Sequence, residues 1–269
     1  MATIALSSAA TGLSAQETAL DVIANNLANS NTTGFKGSRV NFQDLLYQHL
    51  QIPGAENANG VRRPIGLSIG LGVEVSGTQL DMRQGVAQET GRPLDVMIDG
   101  EGFFPVDIED TVADGIGYTR AGNFVLNRDS EMVLANDPGR RLIPTITIPP
   151  NALQIEISTD GVVSVALPGQ IDPTVVATIQ LATFINPSGL QQIGENLFIP
   201  TAASGDPSVG NPGQDSRGVV QQGFLEGSNV EAVTELVNLV KTQRAFQFDS
   251  QAFQAADETL QELVNLRRF

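Results

Sequence analysis

The strongest constraint on the fold of this chain is a set of leucines at seven-residue intervals near the amino terminus. The four positions are Leu6, Leu13, Leu20 and Leu27. This spacing puts them on one narrow stripe of an α-helix, which is typical of a coiled-coil seam rather than of a broad globular face. The sequence therefore predicts an amino-terminal helix that packs in a coiled coil. Packing between molecules is favoured, because the termini carry no other core; an ordinary core within one molecule is the alternative.

The carboxyl-terminal stretch carries a matching pattern. Neither Pro nor Gly occurs between Ser228 and Leu266, and apolar residues again recur every seven positions, at Leu239, Phe246, Phe253 and Leu260. At about 1.5 Å per residue, a helix over this stretch is roughly 60 Å long. Two terminal helices with matching seams predict a pair that packs together as an assembly domain.

Between the helices the hydrophobic period changes to two, which is typical of β-strands. Alternating segments run from Val73 to Ile199, with turn signals at Asp99-Gly100 and Asp160-Gly161. We expect a hairpin at each signal, with a type I′ turn at the second. The predicted fold class is α+β, with terminal α-helices that form a coiled-coil assembly domain and bracket a β-rich central region.

The stretch from Tyr47 to Gly72 follows no regular period and is rich in Pro and Gly. Such long excursions are usually functional or disordered, and we predict an extended hairpin that packs outside its own domain. The expected order is an assembly helix (1–36), an extended connecting segment with the hairpin (37–72), a β-rich domain (73–201), a connecting segment (202–227) and a second assembly helix (228–269).

Composition excludes several classes of function. The formal net charge is −15, so nucleic acid and anionic membrane surfaces would repel the chain. The absence of Cys excludes disulfides and thiolate metal sites. No run of about 18 apolar residues is present, so no transmembrane insertion is expected. The first ten residues lack the basic start of a secretory signal, so any export is expected without a cleaved signal peptide.

Two features could suggest catalysis. Ser68 lies in a G-x-S-x-G sequence, but the hydrolase elbow needs a strand before it, a helix after it and a later His, whereas the only His, His49, lies upstream. One His without Cys is also a poor basis for a zinc site. We therefore predict no catalytic, cofactor-binding or metal-binding residues, and no enzyme activity.

Five short motifs occur at both ends and in the middle of the chain. They are Ile23-Ala24-Asn25-Asn26-Leu27-Ala28-Asn29 continuing through Asn31-Thr32 and Gly34-Phe35-Lys36, then Asp99-Gly100-Glu101-Gly102-Phe103-Phe104, Tyr118-Thr119-Arg120-Ala121-Gly122-Asn123-Phe124, Gly223-Phe224-Leu225-Glu226-Gly227-Ser228-Asn229-Val230, and Gln243-Arg244-Ala245-Phe246. Within the first motif, the Asn-rich run predicts a helix end, with Gly34 as the glycine expected just past it.

As a set, these motifs resemble the axial proteins of the bacterial flagellum, which are its rod and hook proteins. The resemblance assigns ten residues to the family motif: Asn25, Asn26, Asn29, Asn31, Gly34, Phe35, Ser228, Asn229, Gln243 and Arg244. The chain length and the segment Tyr47-Gln48 to Pro53-Gly54-Ala55 are most similar to the distal-rod branch of the family.

The resemblance implies a structural subunit of the distal rod that assembles into a helical tube and transmits torque to the hook. It implies contacts with other copies of the chain, with proximal rod proteins, with the hook protein and with the P- and L-ring bushing. The implied location is the periplasm-spanning rod of the basal body, reached through flagellar type III export. A hook or proximal-rod subunit is the alternative within the family, and a secreted β-domain enzyme or glycan-binding module is the alternative outside it.

Overall fold

The computed structural model describes residues 2–54, 64–108, 115–170 and 172–266. It is an α+β structure with one long helix near each end, α1 (Ala2–Ala28) and α2 (Ala232–Leu266), and a β-rich middle. This confirms the α+β class and the placing of the helices around the β-rich region, while coiled-coil assembly stays a prediction. The strands are β1 (Ser38–Asp44), β2 (Tyr47–Gln51), β3 (Leu67–Gly70), β4 (Val73–Leu80), β5 (Ala87–Glu89), β6 (Val96–Asp99), β7 (Phe104–Asp107), β8 (Ile116–Thr119), β9 (Phe124–Leu126), β10 (Met132–Leu134), β11 (Gln154–Ile157), β12 (Val162–Ala166), β13 (Thr174–Thr178), β14 (Leu181–Thr183), β15 (Gln191–Gly194), β16 (Leu197–Ile199), β17 (Ser208–Gly210), β18 (Val219–Gln222) and β19 (Phe224–Glu226).

The chain forms two compact units, each built from segments that are distant in sequence. The first, here called the terminal unit, comprises Met1–Leu27, Ser38–Gln79 and Ala232–Phe269. The second, the central unit, comprises Ala28–Gly37 and Leu80–Glu231.

In the terminal unit, α1 lies against strands that follow it in the chain. The Ser8 hydroxyl donates to the Gly70 carbonyl (3.5 Å), and the Val73 amide donates to the Thr11 hydroxyl (3.3 Å). β1 pairs with β4, and β2 pairs antiparallel with β3. Part of the predicted extended hairpin, residues 55–63, lies outside the described residues.

The deepest positions of α1 are not its heptad leucines. Among residues 4–28 of this helix, the buried ones are Ala15, Ala19 and Asn26, at 3%, 8% and 4% exposure. All four leucines of the predicted seam are only partly buried. One face of α1 is therefore covered within the chain, and the leucine stripe keeps surface available.

The central unit contains several small antiparallel sheets around one main core. The largest sheet has the order β15-β16-β8-β7, and a three-stranded sheet has the order β11-β12-β13. The other strands of the central unit form two-stranded sheets: β9 with β10, β14 with β17, β6 with β18, and β5 with β19. The most deeply buried members of the main core include Val96, Phe104, Val106, Phe124, Met132, Leu142, Ile146, Val163, Ile179 and Leu181.

The two predicted turns differ in outcome. At Asp160-Gly161 a hairpin joins β11 to β12, which confirms the hairpin. The turn is not the predicted type I′, which needs a positive φ at both central residues, because only Gly161 of this pair has one (φ +78°). The hairpin predicted at Asp99-Gly100 is wrong. β6 pairs there with β18, and β7 pairs with β8 instead.

Residues 202–227, expected to be a connecting segment, contain β17, β18 and β19. These strands pair with β14, β6 and β5 respectively, all within the central unit. Late segments of the chain therefore complete sheets that early segments begin.

We expect Phe124→Ala to lower the free energy of unfolding by about 3–5 kcal/mol, since it opens a cavity in the core. Phe124 is fully buried and packs edge-to-face on Phe104, with ring centroids 5.3 Å apart. Chemical denaturation of the full chain measures the effect. Leu153→Ala, at a side chain that is 74% exposed, is the control and should change the value by no more than about 0.5 kcal/mol. Equal losses in the two variants would contradict the assigned core.

Candidate functional site: a junction of three motifs

Three of the motifs meet in the central unit, at the point where the chain enters and leaves it. The Gly34 amide donates to the Glu226 carbonyl at 2.7 Å, and the Asn229 amide donates to the Phe35 carbonyl at 3.4 Å. The segments around residues 34–37 and 226–229 therefore run side by side, although about 190 residues separate them in sequence.

The Asn229 side chain joins three backbone segments. Its Oδ1 accepts from the Gly37 amide at 2.8 Å, and its Nδ2 donates to the carbonyls of Asp81 (2.7 Å) and Arg83 (3.1 Å). A side-chain amide has both donors and an acceptor, so it can satisfy backbone groups of both kinds at once. This explains why an Asn suits this position of the motif.

A cluster of three buried charges lies beside these bonds. Lys36, Arg120 and Glu226 are 1%, 5% and 0% exposed. Lys36 Nζ lies 2.6 Å from Glu226 Oε1 and donates to the Arg83 carbonyl at 2.7 Å. Arg120 Nη1 lies 3.3 Å from Glu226 Oε2, and the Gly85 amide donates to Glu226 Oε1 at 2.8 Å. One carboxylate thus holds two cations that come from different motifs.

Burial sets the electrostatics of this cluster. Burial lowers the pKa of Lys36, and the nearby positive charge of Arg120 lowers it further. The negative charge of Glu226 raises this pKa and so opposes both effects. Burial likewise lowers the pKa of Arg120, again against Glu226. At the rim, hydrogen bonds from Arg83 hold the pKa of Asp81 below its ordinary value. Two buried cations depend on Glu226 for compensation, since an unpaired buried charge is strongly unfavourable.

Arg120 and Gly34 show why the middle motif fits this junction. The Arg120 guanidinium lies over the Phe103 ring, 5.1 Å from its centroid, a distance suited to a cation–π contact. Gly34 has φ +69°, and a Cβ there would lie 2.5 Å from the Ala121 amide nitrogen. Because α1 ends at Ala28, Gly34 does not terminate the helix as predicted; it allows close backbone contact with the middle motif.

Asn26 acts in the terminal unit instead. Its Nδ2 donates to the Ser38 carbonyl (2.8 Å) and its Oδ1 accepts from the Ser38 amide (3.0 Å), so α1 is bound to the start of β1 at two points. At the end of α1, the carbonyl and Oδ1 of Asn29 accept from the amide and hydroxyl of Thr32.

The remaining motif residues lie apart from the junction or at its edge. Asn25 and Asn31 are exposed, as are Gln243 and Arg244 on α2, whereas Phe35 is buried. The Ser228 hydroxyl accepts from the Val230 amide at 3.2 Å. The junction therefore uses Gly34, Phe35 and Asn229 of the ten predicted residues, together with Lys36, Arg120 and Glu226.

The three charged residues were within the motifs but were not predicted as site residues. The available signal was that three motifs otherwise rich in Gly, Asn and apolar residues each contain a charged residue. Their signs allow pairing, but sequence alone does not show that the three segments meet.

The residues that could suggest catalysis lie elsewhere. His49 Nδ1 is 2.7 Å from the Ser68 hydroxyl, across exposed β2 and β3. Among the described residues, no three His, Cys, Asp or Glu side chains are grouped so that they could bind a metal ion. In the same part of the chain, neither helix combines the length and apolar character that a membrane crossing requires.

Comparison with known protein families agrees with this organisation. A model described as "Flagella basal body rod protein" matches residues 6–36, one described as "Flagellar hook protein FlgE/F/G D1 domain" matches residues 97–165, and one described as "Flagellar basal body rod FlgEFG protein C-terminal" matches residues 221–266. The chain belongs to the family of flagellar basal-body rod proteins, which are structural subunits of the flagellum.

Individual relatives narrow the similarity. The chain is 45% identical to the flagellar basal-body rod protein FlgG of Agrobacterium fabrum over 256 residues, 94% of this chain and 95% of the relative. It is 42% identical to FlgG of Caulobacter vibrioides over 264 residues, 98% of this chain and 99% of the relative. Identity to the rod protein FlgF of the same Caulobacter is 33% over 243 residues, 88% of this chain and 87% of the relative.

We expect Glu226→Gln to lower the free energy of unfolding by about 3–5 kcal/mol, because it leaves Lys36 and Arg120 buried without a counter-charge. The control is Glu195→Gln, which removes a pair with Arg140 in which the Glu195 side chain is 42% exposed. That exposed pair should contribute about 1 kcal/mol or less. Denaturant unfolding of both variants provides the comparison, and a small effect at Glu226 would show that the cluster does not hold the junction.

Proposed function

We propose that this chain is a structural subunit of the distal rod of the bacterial flagellum, the drive shaft that transmits motor torque to the hook. The observation that carries the proposal is similarity to FlgG proteins over nearly the whole chain, with higher identity to FlgG than to FlgF in Caulobacter. A proximal-rod subunit is the second candidate, since the FlgF similarity also covers most of the chain. A role as a hook subunit is kept as an alternative because a family model shared with hook proteins matches the middle.

The proposed mode of action is self-assembly of the terminal helices into a helical tube. On α2, Phe246 and Phe253 of the predicted seam are 36% and 38% exposed in the single chain. Exposed aromatic side chains on a long helix favour burial by neighbouring molecules. The seam leucines of α1, which are half-buried, would take part in the same coiled-coil packing.

The proposed partners are further copies of the chain, the proximal rod proteins, the hook protein, and the P- and L-ring bushing around the rod. The proposed role is structural rather than catalytic, with no binding of nucleic acid and no insertion into a membrane. The proposed location is the periplasm-spanning rod, reached through flagellar type III export without cleavage of a signal peptide. Membership of the rod family supports these assignments.

The extended segment between residues 47 and 72 is proposed to stiffen the tube. Several of its large apolar side chains are exposed: Ile52 is 68%, Ile65 79% and Leu67 47% exposed, and Leu46 just before the segment is 82% exposed. At roughly 25 cal/mol per Å² of buried apolar area, covering several of them would add kilocalories to each contact between subunits. A segment that bridges neighbours would prevent the sliding between packings that a curved filament needs.

We expect Leu20→Asp or Phe253→Asp to prevent polymerisation while leaving the central unit folded. A charge placed in a seam would be buried without a partner on assembly, at a cost of several kcal/mol. Sedimentation measures the polymer, and thermal melting measures the central unit. Leu153→Asp, at an exposed position of the central unit, is the matched control and should polymerise normally. Normal polymers from either seam variant would contradict the proposed packing.

Removal of residues 52–67 should leave subunits that polymerise through the terminal helices into curved or flexible filaments. The physical reason is the loss of the apolar contacts that would fix each subunit against its neighbours. Electron microscopy of the variant beside the unmodified chain measures curvature directly. Straight, rigid filaments from the variant would refute the assignment of stiffness to this segment.

A further inference from the structure

A small cavity in the central unit lies beside the buried charges of the junction. Its volume is about 70 Å³, and the residues that line it include Glu101, Gly102, Phe103, Arg120 and Thr183. A water molecule in the liquid occupies about 30 Å³, so a space of this size holds only a few non-hydrogen atoms. The cavity is therefore suited to a small ion or to a few waters.

Arg120 brings an unused hydrogen-bond donor to this cavity. Its side chain is buried, and its Nη1 donates to Glu226 Oε2 at 3.3 Å. Its Nε is also buried, but it has no hydrogen-bond partner in the part of the chain that the structure describes. Buried donors in folded proteins are nearly always paired, because an unpaired one is costly. The Nε of Arg120 therefore indicates an acceptor from outside the chain.

The buried charges of the junction do not balance. Lys36 and Arg120 are two cations, and Glu226 is the one carboxylate that pairs with them. Asp81 at the rim is paired with Arg83 and so does not offset the second cation. One positive charge is left over in this cluster, and a buried charge without compensation is unfavourable. A monovalent anion in the cavity would supply the missing negative charge.

Glu101 lines the cavity but compensates Arg120 only weakly. Burial lowers the pKa of Arg120, and Glu101, like Glu226, opposes this shift through its negative charge. Within the described residues, however, the ion pair of Arg120 is with Glu226 and not with Glu101. Glu101 is exposed, so water screens its charge. It lies where it would repel an anion that enters the cavity.

The guanidinium and the walls of the cavity favour a carboxylate. Arginine presents its N–H groups in a planar fork that matches the two oxygens of a carboxylate. The Phe103 ring lies under the Arg120 guanidinium, 5.1 Å from centroid to Cζ, and packs edge-to-face on Phe184, which also lines the cavity. Aromatic walls lower the local dielectric, which strengthens the attraction between a guanidinium and an anion.

We propose that the cavity beside Arg120 binds a small monocarboxylate, of the size of formate or acetate, as a second counter-charge for the junction. The bound carboxylate accepts from the Nε of Arg120, while Nη1 stays with Glu226. Because the site exists only in the folded central unit, the ligand stabilises this unit by mass action. The inference goes beyond the proposed structural role and does not depend on it.

Titration of the dilute full chain with formate tests the site. After isotopic labelling of the arginine nitrogens, the Nε–H resonance of Arg120 is identified by its proximity to the Phe103 ring. We expect this resonance to shift and to saturate at millimolar formate, since ligands with so few atoms do not bind more tightly. At saturation, the thermal midpoint of the central unit should rise by at least about 2 °C. Chloride at equal ionic strength should give no saturating shift.

Glu101→Gln tests the location of the anion and leaves the buried ion pairs intact. Because this variant removes a charge that repels the ligand, it should lower the dissociation constant of formate by about threefold. The thermal midpoint without formate should change little. The matched control is Glu195→Gln, which removes a carboxylate that pairs with Arg140 elsewhere and should leave the dissociation constant unchanged.

Four results would overturn the proposal. The absence of a saturating shift would show that the cavity holds only water, and an equal response to chloride would show a general effect of salt. An unchanged dissociation constant in Glu101→Gln would place the anion elsewhere. If Glu101→Gln lowers the midpoint and formate restores it, Glu101 itself is the second counter-charge. None of these results affects the rod proposal, which depends on polymerisation.

Discussion

The central unit depends on one buried carboxylate. Glu226 accepts from the Lys36 ammonium, the Arg120 guanidinium and the Gly85 amide, while its own carbonyl accepts from the Gly34 amide. Two cations that would be costly to bury alone are compensated by a single side chain. The side chain of Glu226 thus compensates the buried charges, and its carbonyl holds the backbone at the point where the chain enters and leaves the unit.

The terminal unit follows a different physical principle. A neutral amide, Asn26, binds α1 to the start of β1, and the strongest apolar features of α2 are left outside. The central unit pairs its buried charge cluster and packs its main core within one molecule, whereas the terminal unit leaves large apolar side chains of α2 exposed. This division agrees with the proposed role as a polymer subunit, in which a self-sufficient body carries ends that neighbours complete.

Local patterns in the sequence predicted much of the architecture, and contacts between distant segments limited the rest. Seven-residue spacing identified both helices, with the absence of Pro and Gly as a further signal for α2 alone. Asp160-Gly161 identified a hairpin because a turn and its two strands are adjacent in the chain. Asp99-Gly100 carried the same signal, yet Asp99 pairs with Val219, a partner that no local pattern specifies. The charge cluster was missed for the same reason: each motif supplies one charge, and only the fold brings them together.

The sequence separation inside the charge cluster has a consequence for how the molecule is made. Lys36 and Glu226 are 190 positions apart, so the loop between them must be closed before the ion pair can form. A chain that emerges amino terminus first, from a ribosome or from a narrow channel, lacks this carboxylate until more than four-fifths of its length is out. Until then Lys36 and Arg120 have no counter-charge from Glu226, and β5 and β6 have no β19 and β18 to pair with. The architecture thus delays completion of the central unit until almost the whole chain has emerged.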